Sequence, residues 1–170
     1  MSPGVLAAYQ EFQPAEKACW EILLREHEVG RRIPSDVLNR AMDQTLEQLW
    51  ALLGRGTRAT EASVREMVEI RLPGTEEGAC AFETYLPYFA SGEEALELVG
   101  KEIEWLSPRV RGEGREELRL AFDLLVQCQL QRLCGACALS VNCPHGGPGA
   151  LHVRERREGF RRPREERDDG

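Results

Sequence analysis

Apolar residues recur at three- and four-residue steps along most of this chain, and nowhere do they alternate strictly over the length of a strand. That spacing places apolar side chains on one stripe of an α-helix, and the stripe must be buried against other helices. Proline and glycine divide the pattern. After a short opening turn, Pro14 stands where a helix begins, because its missing N–H costs nothing in the first turn. Ala18, Cys19, Ile22, Leu23 and Val29 carry that stripe to about residue 29, where Gly30 and Pro34 close it. Ser35 with Asp36 supplies an N-cap for a second helix bearing Val37, Leu38, Ala41, Met42, Leu46, Leu49, Trp50 and Leu53, ended by Gly54 and Gly56. Thr60 caps a shorter helix through Val64, Met67, Val68 and Ile70 before Leu72-Pro73-Gly74 turns the chain.

The middle is less regular. Phe82, Tyr85, Leu86 and Phe89 suggest a short helix disturbed by Pro87. Ser91 and Glu94 then form a capping-box pattern that opens a new helix carrying Leu96, Val99, Ile103 and Leu106. A break at Gly112-Glu113-Gly114 precedes the last helix, which shows Leu118, Phe122, Leu125, Val126, Gln129 and Leu133 and ends near Leu133. Five or six helices without a convincing strand predict an all-α helical bundle, with Trp20, Trp50 and Trp105 on its core-facing stripes. The expected organisation is a helical domain over 1–143 with a Cys-rich segment at 128–145, then a Gly/Pro linker and a flexible Arg/Glu-rich tail over 146–170.

A length of 170 residues suits one hydrophobic core, and 42% apolar with 30% charged residues excludes collagen-like and low-complexity chains. No apolar run approaches the roughly 18 residues that span a bilayer, and the opening residues lack a basic n-region and a long h-region. The expectation is a cytoplasmic chain with no membrane contact. Net charge of −7 argues against a protein that coats polyanions, although seven arginines between Arg154 and Arg167 leave the tail slightly positive and the body acidic. Leu53-Gly54 followed by Thr60 to Arg65 resembles a helix-turn-helix only faintly, because the turn is long and Glu61, Glu66 and Glu69 would face phosphates. Nucleic acid is a weakly supported partner, and a protein partner is the better expectation.

Chemistry concentrates near the end. Of six cysteines, Cys128, Cys134, Cys137 and Cys143 fall in a C-x5-C-x2-C-x5-C-P run, while Cys19 and Cys80 stand alone and read as core thiols. In a chain without an export signal, such clustering points to soft-metal ligation or thiol redox more than to a disulfide framework. A C-x2-C turn sets two thiolates on one side of a cation, and a third cysteine five residues on closes over the same ion once the chain bends. Four thiolates suit tetrahedral zinc or an iron–sulfur cluster. Pro144 after the last cysteine and the apolar neighbours Leu133, Ala136, Ala138, Leu139 and Val141 lean toward the cluster.

The spacing Cys134-x2-Cys137-x5-Cys143 resembles the cluster-binding cysteines of WhiB-like and FNR-type iron–sulfur regulators, and it is similar to the C-terminal cysteine motif of NifQ-type molybdenum–iron–sulfur carriers. The likeness covers about 16 residues of the chain. It implies a [4Fe–4S] cluster, with Zn the alternative cofactor from ligand chemistry. The fourth ligand stays open. On an unbroken helix the nine steps from Cys128 to Cys137 turn through about 900°, which sets them on opposite faces. Either the helix ends before Cys134 and the chain turns back, or Cys128 is a core thiol and His145, with His152 behind it, completes the site.

The remaining polar residues have plainer readings. His27 lies at a predicted helix end, where a cationic ring is favoured, and Glu76-Glu77, Glu93-Glu94 and Glu116-Glu117 read as solvated charge at turns and helix starts. No Ser/His/Asp constellation assembles, so no catalytic residue is assigned. The sequence reads as a non-enzymatic metalloprotein that senses redox state, carries a cluster or assists assembly. The alternative is a helical interaction or chaperone-like adaptor with a structural zinc.

Overall fold

A computed structural model describes residues 1–55, 81–107 and 114–136 with Val64, Ile70, Leu72 and Val110, giving the backbone alone for Ala81, Phe82 and residues 134–136. Six helices make up the described residues: α1 (Pro3–Glu11), α2 (Gln13–Arg25), α3 (Glu28–Arg32), α4 (Ser35–Arg55), α5 (Ala81–Leu106) and α6 (Arg115–Ala136). No strand occurs among them, so the protein is an all-α bundle as its periodicity predicts. None of these helices is long and apolar enough to cross a membrane.

The opening turn is a full helix. Ser2 caps α1 by accepting from the Val5 N–H, Pro3 occupies its first turn, and Val5 and Tyr9 face inward. Pro14 does start α2, but that helix ends at Arg25 rather than residue 29, and α3 follows as a separate turn. Gly30 explains the bend: a Cβ there would lie 2.0 Å from the Leu24 carbonyl oxygen, so the chain folds back onto the end of α2. Arg25 secures this corner by donating to the carbonyls of Gly30 and Ile33, to Glu21 at 2.9 Å and to Ser35 at 2.8 Å. Those partners join α2, α3 and α4 through one side chain.

The expected stripe on α2 is shifted. Ile22 is 68% exposed and Ala18 also faces outward, whereas Glu16, Trp20 and Leu24 are buried at four-residue steps. A carboxylate within that stripe disguises it in the sequence. On α4 the predicted face is correct: Leu38, Ala41, Met42, Leu46, Leu49, Trp50 and Leu53 are buried, with Leu52 and Thr45 added.

Helix α5 overturns the expected break at residues 87–91. It runs for 26 residues with Pro87 inside it. Ser91 is therefore buried mid-helix and opens no new helix. Pro87 removes one backbone hydrogen bond, but aromatic packing holds the helix on either side of it. Trp20 of α2 lies 4.7 Å from Tyr88 and 6.1 Å from Phe122 of α6, ring centroid to centroid, and Phe89 lies 6.3 Å from Phe122. The Trp20 indole N–H also donates to the Tyr88 carbonyl at 2.8 Å. Gly92 supplies the room, since a Cβ there would come within 2.4 Å of the Trp20 ring. Ser91-Gly92 is thus a notch for Trp20.

The other end of α5 corrects a second expectation. Trp105 is 78% exposed and outside the core, while Ile103 is fully buried. Gly114 adopts φ +94°, consistent with the predicted glycine break, and α6 then runs three residues past Leu133 to Ala136. Two isolated positions are pinned between α5 and α6. Gln129 donates to the Ile70 carbonyl at 2.9 Å and accepts from its N–H at 3.4 Å. Tyr85 donates to the same carbonyl at 2.9 Å and accepts from the Leu72 N–H at 2.8 Å. Ile70 is not helical, contrary to the helix expected through it, whereas Val64 is helical and buried.

Candidate functional site

Helix α6 carries the first half of the cysteine run. Cys128 is 1% exposed within the same apolar cluster as Leu125, Val126 and Leu130. It is not in a disulfide. Cys134 belongs to the last turn of α6, which ends at Ala136. Cys137, Cys143, His145 and His152 lie outside the described residues, as do the Gly/Pro linker and the Arg/Glu-rich tail. Cys128 and Cys134 therefore share one unbroken helix, six residues and about 9 Å of helical rise apart. The helix does not end before Cys134. Among the described residues no three His, Cys, Asp or Glu side chains gather as a metal site.

The lone thiols separate. Cys19 is half-buried beside the core, and burial pushes its thiol pKa up, which opposes thiolate formation. Cys80 lies outside the described residues, together with Ser63, Arg65 and Glu76-Glu77. His27 occupies the joint between α2 and α3, where its backbone N–H donates to the Leu24 carbonyl at the C-terminal end of α2 at 3.0 Å. Glu116 and Glu117 stand exposed in the first turn of α6, as expected of solvated charge there.

Two polar arrangements went unread in the sequence. A groove of about 270 Å³ lies between α5 and α6, floored by Leu96, Leu118 and Phe122 and rimmed by Glu93, Glu97, Arg115, Glu116 and Arg119. Arg119 grips Glu116 through two hydrogen bonds of 2.9 and 2.6 Å, which hold the Glu116 carboxyl below its ordinary value. The second arrangement is internal. Glu16 is fully buried with neither carboxylate oxygen hydrogen-bonded, and the buried Tyr9 hydroxyl likewise has no hydrogen-bond partner. Glu104 leaves Oε1 buried and unbonded while its Oε2 sits 3.5 Å from Arg115.

Set against known proteins, the chain stands apart. No protein-family profile matches it, and no curated protein or solved structure is significantly similar to it. Its chemistry must be argued from its own residues. The groove joins apolar Leu96, Leu118 and Phe122 to charged residues of which Glu116 and Arg119 are paired with each other. Ser35 donates to Glu21 at 3.0 Å, but that carboxylate is held in an ion pair by Arg25 at the corner of α2 and α4, and Glu16 is sealed from solvent. The cysteine run remains the feature with the most specific chemistry.

Proposed function

We propose that this chain is a non-enzymatic metalloprotein, a helical bundle that binds an iron–sulfur cluster just beyond α6 and serves as a redox-responsive regulator or cluster carrier. The observation that carries this reading is the C-x5-C-x2-C-x5-C-P run, whose Cys134 lies on the closing turn of α6 where the chain leaves the helix. Cys134, Cys137 and Cys143 are the proposed thiolate ligands. The core position of Cys128 supports His145 in the fourth place, because withdrawing Cys128 would open the packing around Leu125 and Leu130. A bound cluster supplies one-electron redox chemistry. The chain's own part is to anchor the segment to the end of α6 and to shield it with apolar neighbours.

Anaerobic purification followed by assay of iron, acid-labile sulfide and the visible spectrum tests this directly. Iron with sulfide in stoichiometric amounts is the expected result. One zinc per chain without sulfide would replace it with the second reading, an interaction or chaperone-like adaptor with a structural zinc. That reading is favoured by exposed Leu98, Trp105 and Leu106 on α5. Neither metal would overturn both.

A further inference from the structure

Glu16 lies in the first turn of α2, the helix most extensively packed against α5, and its side chain is 0% exposed. Nothing donates a hydrogen bond to either carboxylate oxygen. A buried carboxylate without a donor is tolerated in its neutral form and strongly disfavoured when ionised. Tyr9 of α1 shares the same interior. Its hydroxyl also lacks a hydrogen-bond partner, and it approaches the bare backbone of α5 at Gly100, where a Cβ would stand 3.6 Å away.

The N-terminal end of α2 favours a negative charge at Glu16, but the surrounding side-chain charges offer it no rescue. On α1 the titratable neighbour is Tyr9, raised above its ordinary value by burial first and then by Glu104 and Glu16, with Arg115 acting in the opposite sense. On α5 the acid is Glu104, already directed at Arg115 of α6. On α4, Asp43 pairs with Lys17 at 2.6 Å on the exposed side of α2, and on α3, Glu28 pairs with Arg32. No cation of these elements is hydrogen-bonded to Glu16.

We propose that Glu16 is a proton-controlled latch, which holds α1 and α2 on α5 while its carboxyl is neutral and loosens that contact when the proton leaves. Burial pushes its pKa from the ordinary 4.5 to about 8. The folded bundle therefore keeps a proton that the unfolded chain loses above 4.5. Stability is fullest below that value and falls as pH rises toward about 8, above which both states are ionised and the loss is complete. Trp20, one turn along α2 and seated against Gly92 and Tyr88, lies where such loosening is sensed.

The test compares the full chain with its Glu16→Gln and Glu16→Leu variants. Urea unfolding between pH 5 and pH 9 is paired with amide hydrogen exchange across α1 and α2, corrected for intrinsic rates. Wild type is expected to lose roughly tenfold more in its folded-to-unfolded ratio per pH unit than Glu16→Gln up to about pH 8. Protection of α1 and α2 should fall at pH 9 in wild type alone. Parallel pH curves for wild type and Glu16→Gln would overturn the proposal. So would a difference in stability with unchanged α1–α2 protection, since Glu16 would then affect global unfolding without opening this interface. If both variants fail to fold, wild type decides alone: a ¹³Cδ titration of Glu16 near 4.5, or one near 8 with unchanged α1–α2 protection, rejects the latch, and titration near 8 with loss of that protection supports it.

Discussion

Cys128 and Cys134 occupy the same helix, and the buried place of Cys128 makes a prediction at the scale of single residues. Cys128 is packed in the core, so Cys128→Ala should leave metal content unchanged while costing about 1 kcal/mol of stability through the small cavity it creates. Cys134→Ala and His145→Ala should each lower metal content without that cost. Elemental analysis beside urea melts of the three variants separates the outcomes. Metal lost from Cys128→Ala with metal retained by His145→Ala would return Cys128 to the fourth ligand position. A second residue-scale prediction concerns Gly92. Its missing Cβ leaves room for Trp20 at a distance no side chain could share, so Gly92→Ala should destabilise the bundle by about 2–3 kcal/mol and perturb the near-ultraviolet dichroism of Trp20. A melt equal to that of wild type would show that α2 and α5 can separate without penalty.

At the scale of elements, the corner between α2 and α4 depends on Arg25. Its hydrogen bond to Glu21, with a smaller contribution from Ser35, holds the Glu21 carboxyl below its ordinary value. A depressed folded value adds stability that is present above the unfolded value near 4.5 and is lost as pH falls through the lower folded value. Arg25→Met should flatten that acid-side loss and release the carbonyls of Gly30 and Ile33, so α3 should exchange its amides faster at neutral pH. An acid limb unchanged in the variant would assign the loss to other carboxylates. The legibility of the elements followed their chemistry. Helix α4 could be read nearly residue by residue because apolar residues fill its stripe from Leu38 to Leu53 with Thr45 as the one buried polar member. Helix α2 could not, because Glu16 occupies a core position that periodicity reserves for an apolar residue. Pro87 and Ser91 have strong local preferences for a break, yet Tyr85, Tyr88 and Phe89 bury enough surface to carry α5 through them. Ser2 and Pro3 signal the start of α1, but its nine residues are too short for periodicity to announce.

At the scale of the whole molecule, the described core lies ahead of Cys134, Cys137 and Cys143 in the chain, with Cys128 inside it. Every buried apolar side chain described lies between Val5 and Leu130, and the aromatic contacts that bind α2, α5 and α6 involve Trp20, Tyr88, Phe89 and Phe122. Proteins that rely on metal for their core unfold when it is removed. This bundle buries a core of its own ahead of Cys134, so the opposite is predicted. Chelation under reducing conditions, or the paired Cys134→Ala/Cys137→Ala change, should remove metal while leaving far-ultraviolet helicity and the urea midpoint unchanged within error. Protease susceptibility should then rise beyond Ala136 and stay low within α1 to α6. Such a division is what a sensor or carrier requires, because the state of the metal can alter one end of the chain without dissolving the scaffold that presents it. Collapse of helicity on chelation would reverse the argument, making the cysteine segment a staple on which the bundle depends.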